Sequence, residues 1–484
     1  MHEHQTTRDR YVDLLRVVSL GVVVLGHWLM AVVAVGDDGV ARAGNVLAVV
    51  PALRPATWLL QVMPVFFLVG GFSHAVAWSS VRRRNGTYAD FVRSRAGRLL
   101  RPTAAFAAVW LLLAVGIELA GADHGVLRLA TRVVAQPLWF IGVYLGVVAL
   151  APAMLRLHRW AGRRAALVPV ALGAAAVAVD VARFGYDVPF VGFANVAFVW
   201  LAVHQVGFLY ADGLLGGPGP VSKWGSESTA ARPSTSIPAL GLTLAGLAGT
   251  VALTTLGGYP TSMVGVPGER VSNMSPPTAA LLACAVLQIG LVLLARGPVT
   301  RWLRRPAVWR GVITANGLSM TTFLWHLTGL FMVSAVTLTL GVAQPPAGSA
   351  AWWLTRPLWV AVLLVPTAAL VVLFRRADRP RPARVPAAGT VAHRRRTPLA
   401  AAGMLLCTLG VLGVSAVGFG GVLAGRTATL VVVPVTPLMS VLLVVVGAGL
   451  LRASSPAAPD RAAPDPRAAP EPAAPDRLAG ARSG

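Results

Sequence analysis

An all-α fold of many membrane-spanning helices is what this sequence predicts. Three observations carry it: the composition, the length of the apolar runs, and the alternation of arginine between them. Of the 484 residues, 56% are apolar and 12% charged, and mean hydropathy is +0.68. A soluble domain carries about twice that share of charge. Apolar stretches of about 20 residues recur, the length a helix needs to cross a bilayer. Backbone in lipid must satisfy its own hydrogen bonds, which selects helices here. The net charge of +24 would suggest nucleic acid in a soluble chain. Here arginine falls mainly in short segments between apolar runs, and we exclude nucleic-acid binding. Cys284 and Cys407 both lie inside apolar runs and give neither a disulfide framework nor a zinc site.

Twelve spans follow in order. The first, 13–36, is as long as a spanning helix and lacks a small-residue cleavage site after it, so it does not read as a removed signal peptide. The others are 56–79, 103–121, 137–155, 165–182, 192–210, 237–256, 278–295, 312–338, 357–374, 398–420 and 428–450. Every strongly basic segment follows an even-numbered span: Arg82 to Arg101 after the second, Arg156 to Arg164 after the fourth, Arg296 to Arg310 after the eighth, Arg375 to Arg396 after the tenth. The positive-inside rule then makes those segments and both termini cytoplasmic. Residues 214–236, rich in Gly, Pro and Ser, read as a flexible loop. A basic, proline-rich linker at 376–397 separates the first ten spans, 1–375, from the last two, within 398–451. The tail, 452–484, nearly repeats Ala-Ala-Pro-acid and is expected to be disordered and cytoplasmic.

Ionisable residues inside spans are costly and therefore candidate functional sites. Arg16 can snorkel to headgroups, and Asp13 stands three residues before it, close enough to pair. His27 is too deep to snorkel. Eleven residues separate Arg16 from His27, and eleven helical steps return to within about 20° of the same face. One polar stripe therefore runs up span 1. His326, in "TTFLWHLTGLF", lies as far into span 9 as His27 lies into span 1. Both helices start on the same side, so the two imidazoles share a depth and a common cavity can hold both. Ser73 and His74 are polar residues near the cytoplasmic side of span 2, after Gly70-Gly71, a weak pattern that ordinary packing explains. Glu118 lies near the outer end of span 3, where plain interfacial exposure competes with a site role. His204 is buried by position and does not separate from a structural residue. A neutral imidazole can take a proton from an alcohol and return it to a leaving group. No serine elbow, phosphate loop, zinc-protease pair or dinucleotide fingerprint occurs, and there is no convincing metal cluster.

These residues carry a resemblance. The pieces are "RYVDLLRVVSLGVVVLGHW", with Arg16, ten residues and then His27; "PVFFLVGGFSHA" at 64–75; "RSRAGRLLRP" at 93–102; "PLWFIGVYLGVVALAP" at 137–152; and "TTFLWHLTGLF" at 321–331. In that order they resemble the membrane-bound acyltransferase family 3, O-acyltransferases of bacterial surface sugars, over roughly residues 8–375. The resemblance implies a ten-helix acyltransferase core, here with two extra C-terminal helices. It implies transfer of an acyl group, commonly acetyl, from cytoplasmic acyl-CoA to a hydroxyl of a glycan, glycolipid or secondary metabolite. It implies no tightly bound cofactor, with acetyl-CoA or another acyl-CoA as donor substrate. It makes His27 the catalytic residue with Arg16 in the same motif, and gives Arg95 and Arg98 a functional part. Arg95, Arg98 and Arg101 stand on the cytoplasmic side and can hold coenzyme A phosphates; setting topology is the competing reading. Gly70 stands where the family often has serine, which puts any role of that serine in doubt. The partners so implied are membrane lipids, acyl-CoA and a carbohydrate or other hydroxyl-bearing acceptor, with a homo-oligomer left open. The expected location is the bacterial inner membrane. The alternative is a transporter or exporter of a lipid-linked or small polar molecule, which twelve spans with buried polar residues would also suit.

Overall fold

The computed structural model describes residues 9–35, 41–121, 125–217, 236–376 and 393–455. Most of the loop expected at 214–236, most of the linker expected at 376–397 and nearly all of the tail lie outside these residues. Among the described residues, eleven helices are long and apolar enough to cross a membrane, and a twelfth, shorter apolar helix follows. The long helices are α1 (Arg10–Met30), α2 (Met63–Arg83), α3 (Tyr88–Leu119), α4 (Leu138–Ala161), α5 (Leu167–Gly185), α6 (Asn195–Ala211), α7 (Ser236–Thr255), α8 (Ala279–Trp302), α9 (Pro306–Thr339), α10 (Ala350–Phe374) and α11 (His393–Val417); the short one is α12 (Pro437–Ala453).

Several boundaries differ from the sequence reading, and three of them have a clear local reason. Helix α1 starts where the Asp9 carboxylate accepts from the Tyr11 N–H at 2.9 Å, an N-cap. It stops at Met30, not residue 36. The β-branched run AVVAV continues as strand β1 (Ala31–Val35), which pairs antiparallel with β2 (Ala41–Asn45), Ala31 opposite Asn45. The twelfth span likewise opens as a hairpin, β3 (Ala428–Leu430) with β4 (Val433–Val435), before α12 begins. The basic segment after the second span is not a loop. A capping box between Thr87 and Asp90 starts α3, and the helix runs unbroken through Arg93, Arg95, Arg98 and Arg101. Those arginines are therefore fixed on one rigid element.

Helix α2 is the most enclosed, whereas α7 and α10 are largely peripheral. Helix α1 packs on α9 and α2, α2 on α6, and α9 on α10. These five helices carry most of the polar residues of interest. Gly71 of α2 lies directly on α6, where a Cβ would strike the His204 carbonyl. The Gly-Gly pair thus permits the close helix approach that packing predicts for small residues. Helices α11 and α12 form a hairpin against α3 and α4. It is tied to α3 at both ends. Arg93 donates to the Ser454 carbonyl, and the Glu118 carboxylate accepts from the N–H groups of Gly421, Val422 and Leu423 at 2.6, 3.0 and 2.8 Å.

Candidate active site

Helices α1 and α9 bring their two deep histidines into direct contact. His27 Nδ1 lies 2.8 Å from His326 Nε2, and the rings stack with centroids 5.0 Å apart, 13° from parallel. The equal depth read from the sequence is thus a real meeting. His326 is fully buried, and its Nδ1 sits 2.6 Å from the Phe323 carbonyl. The indole of Trp28, one residue beyond His27, donates to the His326 carbonyl at 3.1 Å, locking α1 to α9 at this level.

The hydrogen bonds fix the tautomers. A carbonyl can only accept, so His326 Nδ1 carries a proton and donates to Phe323. With both rings neutral, His326 Nε2 is then an acceptor. His27 Nδ1 must carry the proton between the rings. That leaves a lone pair on His27 Nε2. The chain from Phe323 through His326 to His27 therefore orients one ring and presents its outer nitrogen as a base. As a whole residue His27 is half-buried.

A second polar cluster lies about 16 Å along α1, eleven residues nearer its start. Arg16 donates to Ser73 Oγ at 2.8 Å and pairs with Asp13 at 3.5 Å. Arg16, Arg95 and Tyr144 lie in one another's electrostatic field, and both guanidiniums act on the His74 ring. His74 Nδ1 stands 2.9 Å from His204 Nε2, and His204 Nδ1 is buried without a partner. The Nε of Arg95 is likewise buried and unpartnered. A Cβ on Gly70 would meet the Tyr144 ring and hydroxyl at 2.9–3.0 Å. The space a serine would take there belongs to the tyrosine.

The structure thus gathers the sequence candidates into two groups. Asp13, Arg16 and Ser73 stand together with Arg95 close by, and His27 stands with His326. Arg98 and Arg101 are exposed farther along the same helix as Arg95. Glu118 joins neither group: its two oxygens hold the loop after α11. Sequence reasoning missed that His74 and His204 are partners, and it missed Tyr144. Both histidines were visible as polar interruptions of apolar runs, but their pairing depends on which helices are neighbours. Among the described residues, no three His, Cys, Asp or Glu side chains gather as a metal site.

A polytopic helical membrane protein with paired histidines buried in its bundle is the class this fold and site define. Its family follows from comparison with known proteins. A family model described as an acyltransferase domain matches residues 9–376. The chain belongs to that family, the membrane-bound acyltransferase family 3, and is an acyltransferase. Comparison with curated proteins and with solved structures gives no match.

Proposed function

We propose that this protein moves an acyl group, acetyl in the simplest case, from cytoplasmic acyl-CoA to a hydroxyl of a glycan, glycolipid or secondary metabolite. His27 Nε2 takes the hydroxyl proton as the oxygen attacks the thioester carbonyl. The tetrahedral adduct expels the coenzyme A sulfur, which takes the proton back from His27 and leaves as the thiol. His326 holds the His27 ring and its tautomer and stabilises the imidazolium formed in between. The observation that carries this reading is the polarised chain from Phe323 through His326 to a half-buried His27 in a member of an acyltransferase family.

The second cluster suits the donor. Coenzyme A is a polyanion with a pantetheine arm of about 15–20 Å, an estimate from chain geometry. Arg16 and Arg95 would hold its polar groups while the arm spans the ~16 Å to His27. Arg98 and Arg101 would meet its phosphates. The arginine alternation supports putting this end of the bundle, and both termini, in the cytoplasm of a bacterial inner membrane. No tightly bound cofactor enters the scheme. Helices α11 and α12 pack beside the core as an added hairpin.

The test compares cell-envelope glycans, glycolipids and secreted metabolites by mass spectrometry with and without the gene. Loss of an acyl-sized increment from a defined compound supports the proposal and names the acceptor. No acyl-sized difference on any compound, together with altered transport, contradicts it and favours an exporter.

A further inference from the structure

One turn beyond the His27–His326 pair, away from the Arg16 cluster, the structure holds a cavity of about 40 Å³ between β1, the end of α9 and the start of α10. Ala31 and Leu330 line it. Each follows a paired histidine by four residues, so the cavity begins about 6 Å along the helices from the imidazoles. Its volume suits a few waters or a single carboxylate or phosphate group.

The polar groups around it are unusual for such a place. Helix α10 is mostly peripheral, yet its Arg356 is only 5% exposed. The guanidinium lies 4.3 Å from the Trp352 ring and 5.2 Å from the Trp359 ring. Its Nε donates to the Trp352 carbonyl at 3.1 Å. Among the described residues, no carboxylate lies within ion-pair distance of it. The hydroxyl of Ser334 and the indole nitrogen of Trp359 are also buried without partners. All three residues line the cavity, with Thr337 and Gln344 beside them. An enclosed cation without an anion is costly, and each buried polar atom without a partner calls for an explanation. The three share a chemistry: a planar guanidinium fork, an indole N–H and a hydroxyl are donors, carried by residues that line one small space. A ligand rich in acceptor oxygens would satisfy them together, and the guanidinium fork matches a carboxylate or phosphate.

We propose that Arg356, Ser334 and Trp359 form the acceptor subsite, and that the acceptor carries a carboxylate or phosphate beside the hydroxyl that is acylated. This rests on the acyl-transfer reading above. The position is apt. An anion held there leaves a neighbouring hydroxyl about one helical turn away, within reach of His27, while the thioester comes from the opposite side. The Trp352 and Trp359 rings beside the guanidinium restrict its orientation. The same donors could instead hold the phosphate of a bilayer lipid, and the experiment separates the two sources.

Full-length protein in phosphatidylcholine nanodiscs is titrated with glucose, glucuronate and glucose 6-phosphate, with binding read by saturation-transfer NMR. Wild type should bind the two anionic sugars at least ~10-fold more tightly than glucose, the span of a charge-assisted hydrogen-bonded pair. Arg356→Gln should lose that preference, Arg356→Lys keep part of it, and Ser334→Ala weaken it by a smaller factor. His27→Ala should retain it. Unfolding midpoints show whether Arg356→Gln folds; if it does not, Arg356→Lys and Ser334→Ala decide. Equal binding of glucose and glucuronate, or an unchanged preference in the folded variants, overturns the proposal. So does binding only of phosphatidylglycerol added to the discs, since the anion would then be a lipid headgroup. If anion binding depends on Arg356 but neither wild type nor His27→Ala transfers label from acetyl-CoA to an envelope extract, the site stands and the acyl-transfer reading falls.

Discussion

Replacing His326 separates the orienting role of this ring from simple filling of space. The imidazole makes two bonds: one to the Phe323 carbonyl through Nδ1 and one to His27 through Nε2. In His326→Ala, His27 Nδ1–H loses its acceptor in a buried setting. Leaving such a donor unpaired costs about 1–3 kcal/mol, and the loss grows in the transition state, when His27 is an imidazolium. With that ~1–3 kcal/mol as the extra loss in the transition state, at 1.36 kcal/mol per decade, kcat should fall between about 5-fold and about 160-fold. The KM for acetyl-CoA should stay within about 3-fold, because the proposed site for the donor's charged end lies some 16 Å away. His326→Gln places an amide oxygen near the position of Nε2 and should restore an acceptor; His326→Asn can mimic only Nδ1. The order of kcat should be wild type, then Gln, then Asn and Ala together. The assay is labelled acetyl transfer by purified protein in liposomes, with unfolding midpoints as the folding control. Wild-type kcat in a folded His326→Ala variant would refute the reasoning, as would an Asn variant more active than the Gln variant.

Three further outcomes are expected. Arg16→Ala should raise the KM for acetyl-CoA about 10-fold or more, as loss of a charge-assisted contact does, while Ser73→Ala, which keeps the guanidinium, changes it less than about 3-fold; initial rates against acetyl-CoA concentration give both. Gly71→Ala should lower stability by about 1–3 kcal/mol or abolish assembly, because its methyl would strike the α6 backbone at His204; denaturant titration in detergent measures it, and an unperturbed midpoint would contradict the observed contact. Glu118→Gln should loosen the loop after α11 without altering the KM for acetyl-CoA, since three backbone N–H groups lose a charged acceptor worth more than a neutral one; limited proteolysis across residues 418–436 reports it.

Much of the bundle was legible because its determinants are local. Apolar length marked the helices, and arginine clusters marked their ends. Boundaries failed where one composition serves two structures. Residues 31–35, AVVAV, suit a span's end as well as a strand, and only pairing with 41–45 decides. The run from Arg93 to Arg101 looked like a charged loop, yet Thr87 and Asp90 cap a helix that includes it. The meeting of His27 and His326 was half visible: equal depth could be counted, whereas the adjacency of α1 and α9 is tertiary. Arg356 escapes the sequence reading because apolar length starts the tenth span at residue 357, one position too late to include it. The serine cap at Ser349, whose hydroxyl accepts from the Trp352 N–H at 3.1 Å, was the signal that the helix begins seven residues earlier.

Single-turnover transfer of labelled acetyl from acetyl-CoA to an envelope-derived acceptor, by purified wild type and His27→Ala of equal unfolding midpoint, tests the central claim most directly. The account predicts that the alanine protein loses at least about 100-fold in rate, the low end of what a positioned general base contributes. Transfer at the wild-type rate would show that the proton leaves by another route and that His27 is not the base.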